Sequence, residues 1–217
     1  MTNIVGIDEA GRGPVIGPLV ICGAMIEASK EHKLKEIGAR DSKELTALQR
    51  ERLFDEILKL VKNHKIIIIQ PHEIDIAVES DTDNLNWLEA RKSAEIINTL
   101  KPKIAYLDCP STNIAKYTSY IEKLLNIDTR LIAEHKADAK YPVVSAASIL
   151  AKVTRDAEIE KIKHKIGQNF GSGYPSDPMT QDFLKKNFKK YPEIFRKSWA
   201  SWQHAHQAGG QKRLGEF

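Results

Sequence analysis

NIVGIDEAGRGPVIGP, residues 3–18, begins as a core strand and ends as something else. Ile4, Val5 and Ile7 have the composition of a buried strand, yet Asp8 and Glu9 follow without a break. Gly11-Arg12-Gly13-Pro14 then offers an open main chain with one strong cation. A strand end meeting solvent explains these residues, and so does a catalytic site for a charged substrate. Neighbours on a strand point to opposite faces. For Asp8 and Glu9 to serve one site, the chain is therefore expected to leave regular strand geometry there, helped by Gly11.

Outward from this stretch, short Ile/Val-rich runs alternate with amphipathic ones. Further strands are predicted at 18–26, 65–70, 103–108 and 130–134. Helical spacing appears at 46–63, with Thr46 as N-cap, and at 84–100 and 113–125. Beyond 134 the strands stop, and a long helix from about Val143 to Ile166 is expected. A Gly/Pro loop and short helices follow it. This order predicts an α/β domain with a mixed central sheet flanked by helices and a helical C-terminal extension. The loop at 167–178 is read as the boundary between the two parts.

The 217 residues suffice for one sizeable domain with a smaller appendage. No apolar run approaches the roughly 20 residues of a membrane helix, and no signal core follows the N-terminus. With only Cys22 and Cys109, neither a disulfide framework nor a cysteine zinc cage is supported, and a cytoplasmic setting is expected. Residues 161–217 carry 11 Lys/Arg against 4 Asp/Glu, whereas residues 1–160 carry 22 against 25. A basic segment on a mildly acidic body suits an anionic polymer such as nucleic acid; a solvated lysine-rich surface explains the same count.

In open α/β sheets ligands bind at the carboxyl ends of strands. Asp8 and Glu9 stand at such an end, Asp108 ends IAYLD, and Asp138 follows the fifth strand, ahead of Pro142. Four carboxylates from three segments can thus converge. Like charges held together repel unless a cation neutralises them. Mg²⁺ and Mn²⁺ prefer such oxygen ligands, and two ions roughly 4 Å apart support phosphodiester displacement. The Gly-Arg-Gly turn adds backbone N–H groups able to cradle a phosphate or sugar hydroxyl. Arg12 adds a planar cation that forks onto phosphate oxygens. It is not a P-loop, because Lys-Ser/Thr does not follow the glycines.

At this point the chain resembles the type 2 ribonucleases H, the ribonuclease HII family. The motifs are GIDEAGRGPVIGPLV (6–20), DSKEL (41–45), NLNWLE (84–89), YLDCP (106–110), EHKADAKYPVVSAASILAKVTRD (134–156) and GSGYPSDP (171–178), in that order over nearly the whole chain. The last two look like the archaeal and eukaryotic branch. The resemblance implies a ribonuclease H-like fold in a catalytic domain over 1–166, and a helical nucleic-acid-binding part over 167–208. It implies cleavage of RNA in RNA–DNA hybrids and incision at ribonucleotides embedded in duplex DNA, with Mg²⁺ or Mn²⁺ as cofactor. Metal-binding carboxylates map onto Asp8, Glu9, Asp108 and Asp138. Sensing of the ribose 2′-hydroxyl maps onto Gly11, Arg12 and Gly13, and a tyrosine stacking on the neighbouring deoxyribose maps onto Tyr174.

Ser42, Lys43, Lys140 and Ser145 are further candidates for holding phosphates or supporting the site, and His135 is read as structural. In the tail, 209–217, Gln211, Leu214 and Phe217 match the start of a sliding-clamp-binding peptide, Gln-x-x-Leu-x-x-Phe-Phe, behind a Gly209-Gly210 tether. A basic tail that binds nothing explains them as well. Trp199 and Trp202 face either the core or nucleic acid. The expectation is a monomeric metal-dependent ribonuclease. A junction-resolvase-like nuclease and a non-catalytic clamp-associated binding module remain as rivals.

Overall fold

The runs read as strands join into one sheet. In chain order the elements are β1 (Asn3–Ala10), β2 (Leu19–Glu27), α1 (His32–Glu36), α2 (Ala47–Leu60), β3 (Asn63–Ile69), α3 (Pro71–Val78), α4 (Leu85–Leu100) and β4 (Ile104–Asp108). Then come α5 (Ile114–Glu122), β5 (Arg130–Glu134), α6 (Ala137–Lys140), α7 (Pro142–Ile166), α8 (Pro178–Asn187) and α9 (Ala200–Gly210). The computed structural model describes residues 2–39 and 45–210. Strand order is β3-β2-β1-β4-β5. The β1–β2 and β2–β3 pairs are antiparallel, while β1, β4 and β5 run parallel. The carboxyl ends of those three strands therefore lie side by side at one edge.

Contrary to expectation, β1 does not break at its charges. Its pairing with β2 runs regularly from Asn3↔Glu27 through Asp8↔Cys22 and Glu9↔Ile21 to Ala10↔Val20. Alternation is preserved, so the two faces of β1 enter different cores. Ile4 and Ala10 pack with Cys22, Ala24 and the buried start of α7. Val5 and Ile7 pack with Leu19, Ile21 and the α4 residues Ile96 and Ile97. Asp8 belongs to the α7 side and Glu9 to the α4 side.

Residues 143–151 of α7 are buried throughout, as expected of a helix start made of Val, Ala, Ser, Ile and Leu. Gly6 allows the approach. A β-carbon there would lie 2.3 Å from the carbonyl carbon and oxygen of Val143, so only hydrogen fits between β1 and the helix backbone. Thr46 caps α2 as predicted, accepting from Gln49 N while Gln49 returns a bond to Thr46 N, a reciprocal arrangement typically worth about 1 kcal/mol.

A third core joins the C-terminal helices to the body. Phe170, Phe183, Leu184, Phe188, Ile194 and Phe195 pack with Val15, Ile16 and Ile159. Ile16 also bridges to Phe195. The loop after β1 is thus built against the chain's last third. Among the described residues no helix is long and apolar enough to cross a membrane.

Candidate active site

Three aspartates meet at the sheet edge. Asp8 comes from β1, Asp108 from the last position of β4, and Asp138 from the single turn α6. One carboxylate oxygen from each lies within 4.8 Å of the others. Local hydrogen bonds hold them. Asp8 Oδ1 accepts from Glu9 N at 2.7 Å, and Asp138 Oδ1 from Ala139 N at 3.0 Å. Asp108 Oδ1 accepts from Ala137 N at 3.0 Å, which ties α6 to the end of β4 and delivers Asp138 to the group. Lys136, in the left-handed region at φ 57°, turns the chain from β5 into α6.

Burial pushes the Asp8 carboxyl up to about 7, with Asp108 and Asp138 adding to the rise. A hydrogen bond with the Ser148 side chain of α7 opposes it, as does the Glu9 N–H. A cluster of like charges that resists ionisation is the state a divalent cation relieves. Its oxygen-only donor set suits a hard ion such as Mg²⁺ or Mn²⁺ rather than a thiolate-seeking metal.

Glu9 stands outside this trio because it leaves β1 on the other face. Its carboxyl is pushed well above the usual range by burial, then by Glu89, Asp8 and Asp108. Glu89 on α4 is itself buried and raised to about 7 by desolvation, against the pull of Arg12. Arg12 Nε donates to Glu89 Oε1 at 3.0 Å, and Arg12 Nη2 to Asn86 Oδ1 at 2.7 Å. Two edges of the guanidinium are therefore committed to α4, whereas the sequence offered it as a fork for phosphate oxygens.

Residues of both faces line a shared cavity of about 280 Å³, together with Asp108, residues 10–13, Ser148, Tyr174, Arg50 and Lys152. Gly11 bends the chain out of β1 at φ 85°, a conformation suited to glycine. Tyr174 lies across from Gly13, its Cε1 only 3.6 Å from where a β-carbon would stand. The Arg155 guanidinium sits over its ring, 5.4 Å from the centroid.

Lys140 and Ser145 are not among the residues lining the cavity. Lys140 pairs with the half-buried Glu134 at 2.6 Å and covers the Tyr141 ring. Ser145 is buried in α7, its Oγ without a hydrogen-bond partner among the described residues. His135 Nδ1 contacts the Cys109 carbonyl at 2.9 Å, a structural tie. Ser42 and Lys43, like Gln211, Leu214 and Phe217, lie outside the described residues. Sequence reading passed over Ser148 and Lys152, although they lie one helical turn apart in a motif already singled out. It also missed Glu89, the last residue of NLNWLE.

The family model described as Ribonuclease HII matches residues 5–202. The chain belongs to the ribonuclease HII family. A ribonuclease HII from Pyrococcus furiosus is 49% identical over 202 residues, covering 91% of this chain and 88% of its own. The crystal structure of a ribonuclease H2 from Pyrococcus horikoshii superposes with a TM-score of 0.89 at 43% identity, over 97% of this chain and all (100%) of the other. A PCNA:RNase HII complex from Archaeoglobus fulgidus gives a TM-score of 0.81 at 41% identity, over 99% of this chain and 100% of that one. Membership makes the chain a ribonuclease H, a hydrolase of RNA in RNA–DNA hybrids. The family is metal-dependent, and the buried acidic trio is a group able to bind metal.

Proposed function

We propose that this ribonuclease HII also incises duplex DNA on the 5′ side of single embedded ribonucleotides, leaving 3′-hydroxyl and 5′-phosphate ends. The observation that carries the reading is one cavity lined both by the carboxylates of Asp8, Glu9 and Asp108 and by residues 11–13 and Tyr174. Asp8, Asp108 and Asp138 would hold Mg²⁺ or Mn²⁺, with Glu9 completing the set from the opposite face of β1. A pair of such ions, when bound, supplies an activated water and stabilisation of the leaving oxygen.

The protein's own residues do the selecting. Backbone N–H groups of the Gly-Arg-Gly loop donate to the 2′-hydroxyl, which distinguishes RNA from DNA without reading sequence. Tyr174 offers its ring to the next sugar, with Arg155 packed over it. Lys152, tethered by Asp156 at 2.7 Å, and Arg50 place positive charge where a phosphate would enter. Residues 167–208 would support the duplex. For the tail, the Archaeoglobus complex with PCNA supports reading Gln211, Leu214 and Phe217 as a clamp-binding peptide. Deletion of 211–217 should then abolish clamp association, and unchanged binding would reject the motif.

The decisive assay compares a duplex bearing one ribonucleotide with an all-DNA control, in Mn²⁺ or in EDTA. Cleavage confined to the first duplex and to Mn²⁺ is expected. Equal cutting of both, or cutting in EDTA, sinks the reading and favours another nuclease on this sheet. Asp138→Asn should lower turnover by at least about 100-fold while circular dichroism stays native; retained activity would remove Asp138 from the site.

A further inference from the structure

Arg196 is buried completely, 0% exposed, just ahead of α9. Burying a cation costs several kcal/mol unless it is paired or fully hydrogen-bonded, yet among the described residues no carboxylate comes within ion-pair distance of it. Burial lowers its pKa, and nearby Arg155 lowers it further; a guanidinium nevertheless stays charged at neutral pH. Its donors go to main-chain carbonyls of the loop after β1. Nη2 donates to Gly11 O at 2.6 Å, Nη1 to Arg12 O at 2.9 Å and Nε to Gly17 O at 3.0 Å. Trp199, whose ring lies 5.0 Å from the guanidinium carbon, adds a bond from Nε1 to Gly13 O at 3.1 Å.

The segment bearing these residues is fixed in turn. Arg196 N donates to Val15 O at 2.9 Å. The buried Asp75 of α3 accepts from Lys197 N at 2.9 Å, Ser198 N at 3.0 Å and Ser198 Oγ at 2.6 Å.

Peptide planarity turns this clamp into a statement about the other edge of the loop. In a trans peptide the carbonyl and the following N–H point in opposite directions, and no cis peptide occurs among the described residues. With Gly11 O and Arg12 O drawn toward Arg196, the N–H groups of Arg12 and Gly13 must face away from it. Gly13 O, held by Trp199, is followed by Pro14, which has no N–H. The donor edge is thus the pair Arg12 N–H and Gly13 N–H, in residues that line the cavity.

We infer that Arg196, with Trp199, is a positioning residue for ribose selection: it orients the two peptide planes whose N–H groups read the 2′-hydroxyl. The inference rests on the ribonucleotide-incision reading above. It places the origin of selectivity in the C-terminal segment as well as in the Gly-Arg-Gly loop.

The test measures kcat/KM for wild type, Arg196→Lys and Trp199→Phe on two duplexes, one with a single ribonucleotide and one with a 2′-fluoro-2′-deoxynucleotide there. A lysine cannot bond three divergent carbonyls, and phenylalanine keeps the ring without the donor. Misplacing the donors should lower kcat/KM on the ribonucleotide by about 10- to 100-fold and leave the fluoro substrate nearly unchanged, so the ratio collapses. Trp199→Phe should shift it the same way by less. Mn²⁺ affinity by calorimetry should not move, because neither side chain touches the aspartates. A ratio preserved in both variants, with both substrates slowed alike, makes the clamp merely structural and overturns the inference. If Arg196→Lys does not fold, Trp199→Phe decides alone by the same criterion. A wild type with no preference for the ribonucleotide refutes the underlying reading and this inference with it; a selective wild type with unmoved variants refutes only the inference.

Discussion

Asp8 sits where burial and two neighbouring carboxylates act in the same direction, and this couples folding, pH and metal. Its ordinary pKa is 3.8 and its folded value about 7. Between those values the folded chain keeps a proton that the unfolded chain releases, so without metal Asp8 lowers stability as pH rises through that window. Glu9 and Glu89, both raised, act in the same sense. A divalent cation has to displace the proton, so its apparent affinity should strengthen by about tenfold per pH unit for each proton released. Melting in Mn²⁺ against EDTA should therefore show a larger metal-induced rise in Tm at pH 8 than at pH 5. Asp8→Asn should reduce that difference, with Glu9 left to supply the remainder; an increment independent of pH would contradict the account. The aspartates were legible in the sequence because each ends or follows a strand, and parallel order brings such ends together. Glu89 and Arg196 were not. Their partners are Arg12, 77 residues away, and main-chain atoms 179 to 185 residues away, which no local pattern announces.

At the scale of elements, the site depends on how closely α7 lies on β1. Ser148 reaches Asp8 only because Gly6 lets the helix backbone touch the strand. Gly6→Ala puts a methyl group 2.3 Å from Val143 backbone atoms, a contact that nothing flexible can relieve. Overpacking of this kind typically costs about 1–3 kcal/mol, so urea unfolding should show a lower midpoint at unchanged m-value. Metal affinity should fall as well, since α7 cannot retreat without carrying Ser148 from Asp8; wild-type stability and Mn²⁺ binding in Gly6→Ala would disprove the contact. The strands and longer helices could be read beforehand because Ile/Val runs and 3.6-residue spacing repeat over enough positions. The helices α1, α3 and α6, of five, eight and four residues, are too short for periodicity to speak. The regular course of β1 through Asp8 and Glu9 was missed for a different reason: the expectation assumed both side chains must share a face, whereas they stay on opposite faces and still line one cavity.

Across the whole molecule, charge is distributed as suits an enzyme for a polyanion, with three aspartates meeting at the sheet edge and a net excess of bases in the last quarter of the chain. Residues 161–217 carry a net +7 (11 Lys/Arg minus 4 Asp/Glu), and residues 1–160 a net −3 (22 minus 25). The third core locks the described part of that basic segment to the loop after β1, so its position relative to the cavity is fixed by packing. Lys185 on α8 and Lys189 and Lys190 just after it are exposed, and among the described residues none is paired to a carboxylate as Lys186 is to Asp182. If these lysines meet the phosphates of a bound duplex, each contact adds about 0.9 to the slope of log Kd against log salt concentration. Exchanging all three for Gln should weaken binding of a hybrid measured in EDTA, and flatten that slope by about 1 to 3. The rate at saturating substrate should stay the same, because the acidic trio is untouched. An unaltered slope would make this a solvated lysine surface, and the duplex would then have to be held by Arg50, Lys152 and the loop carrying Tyr174.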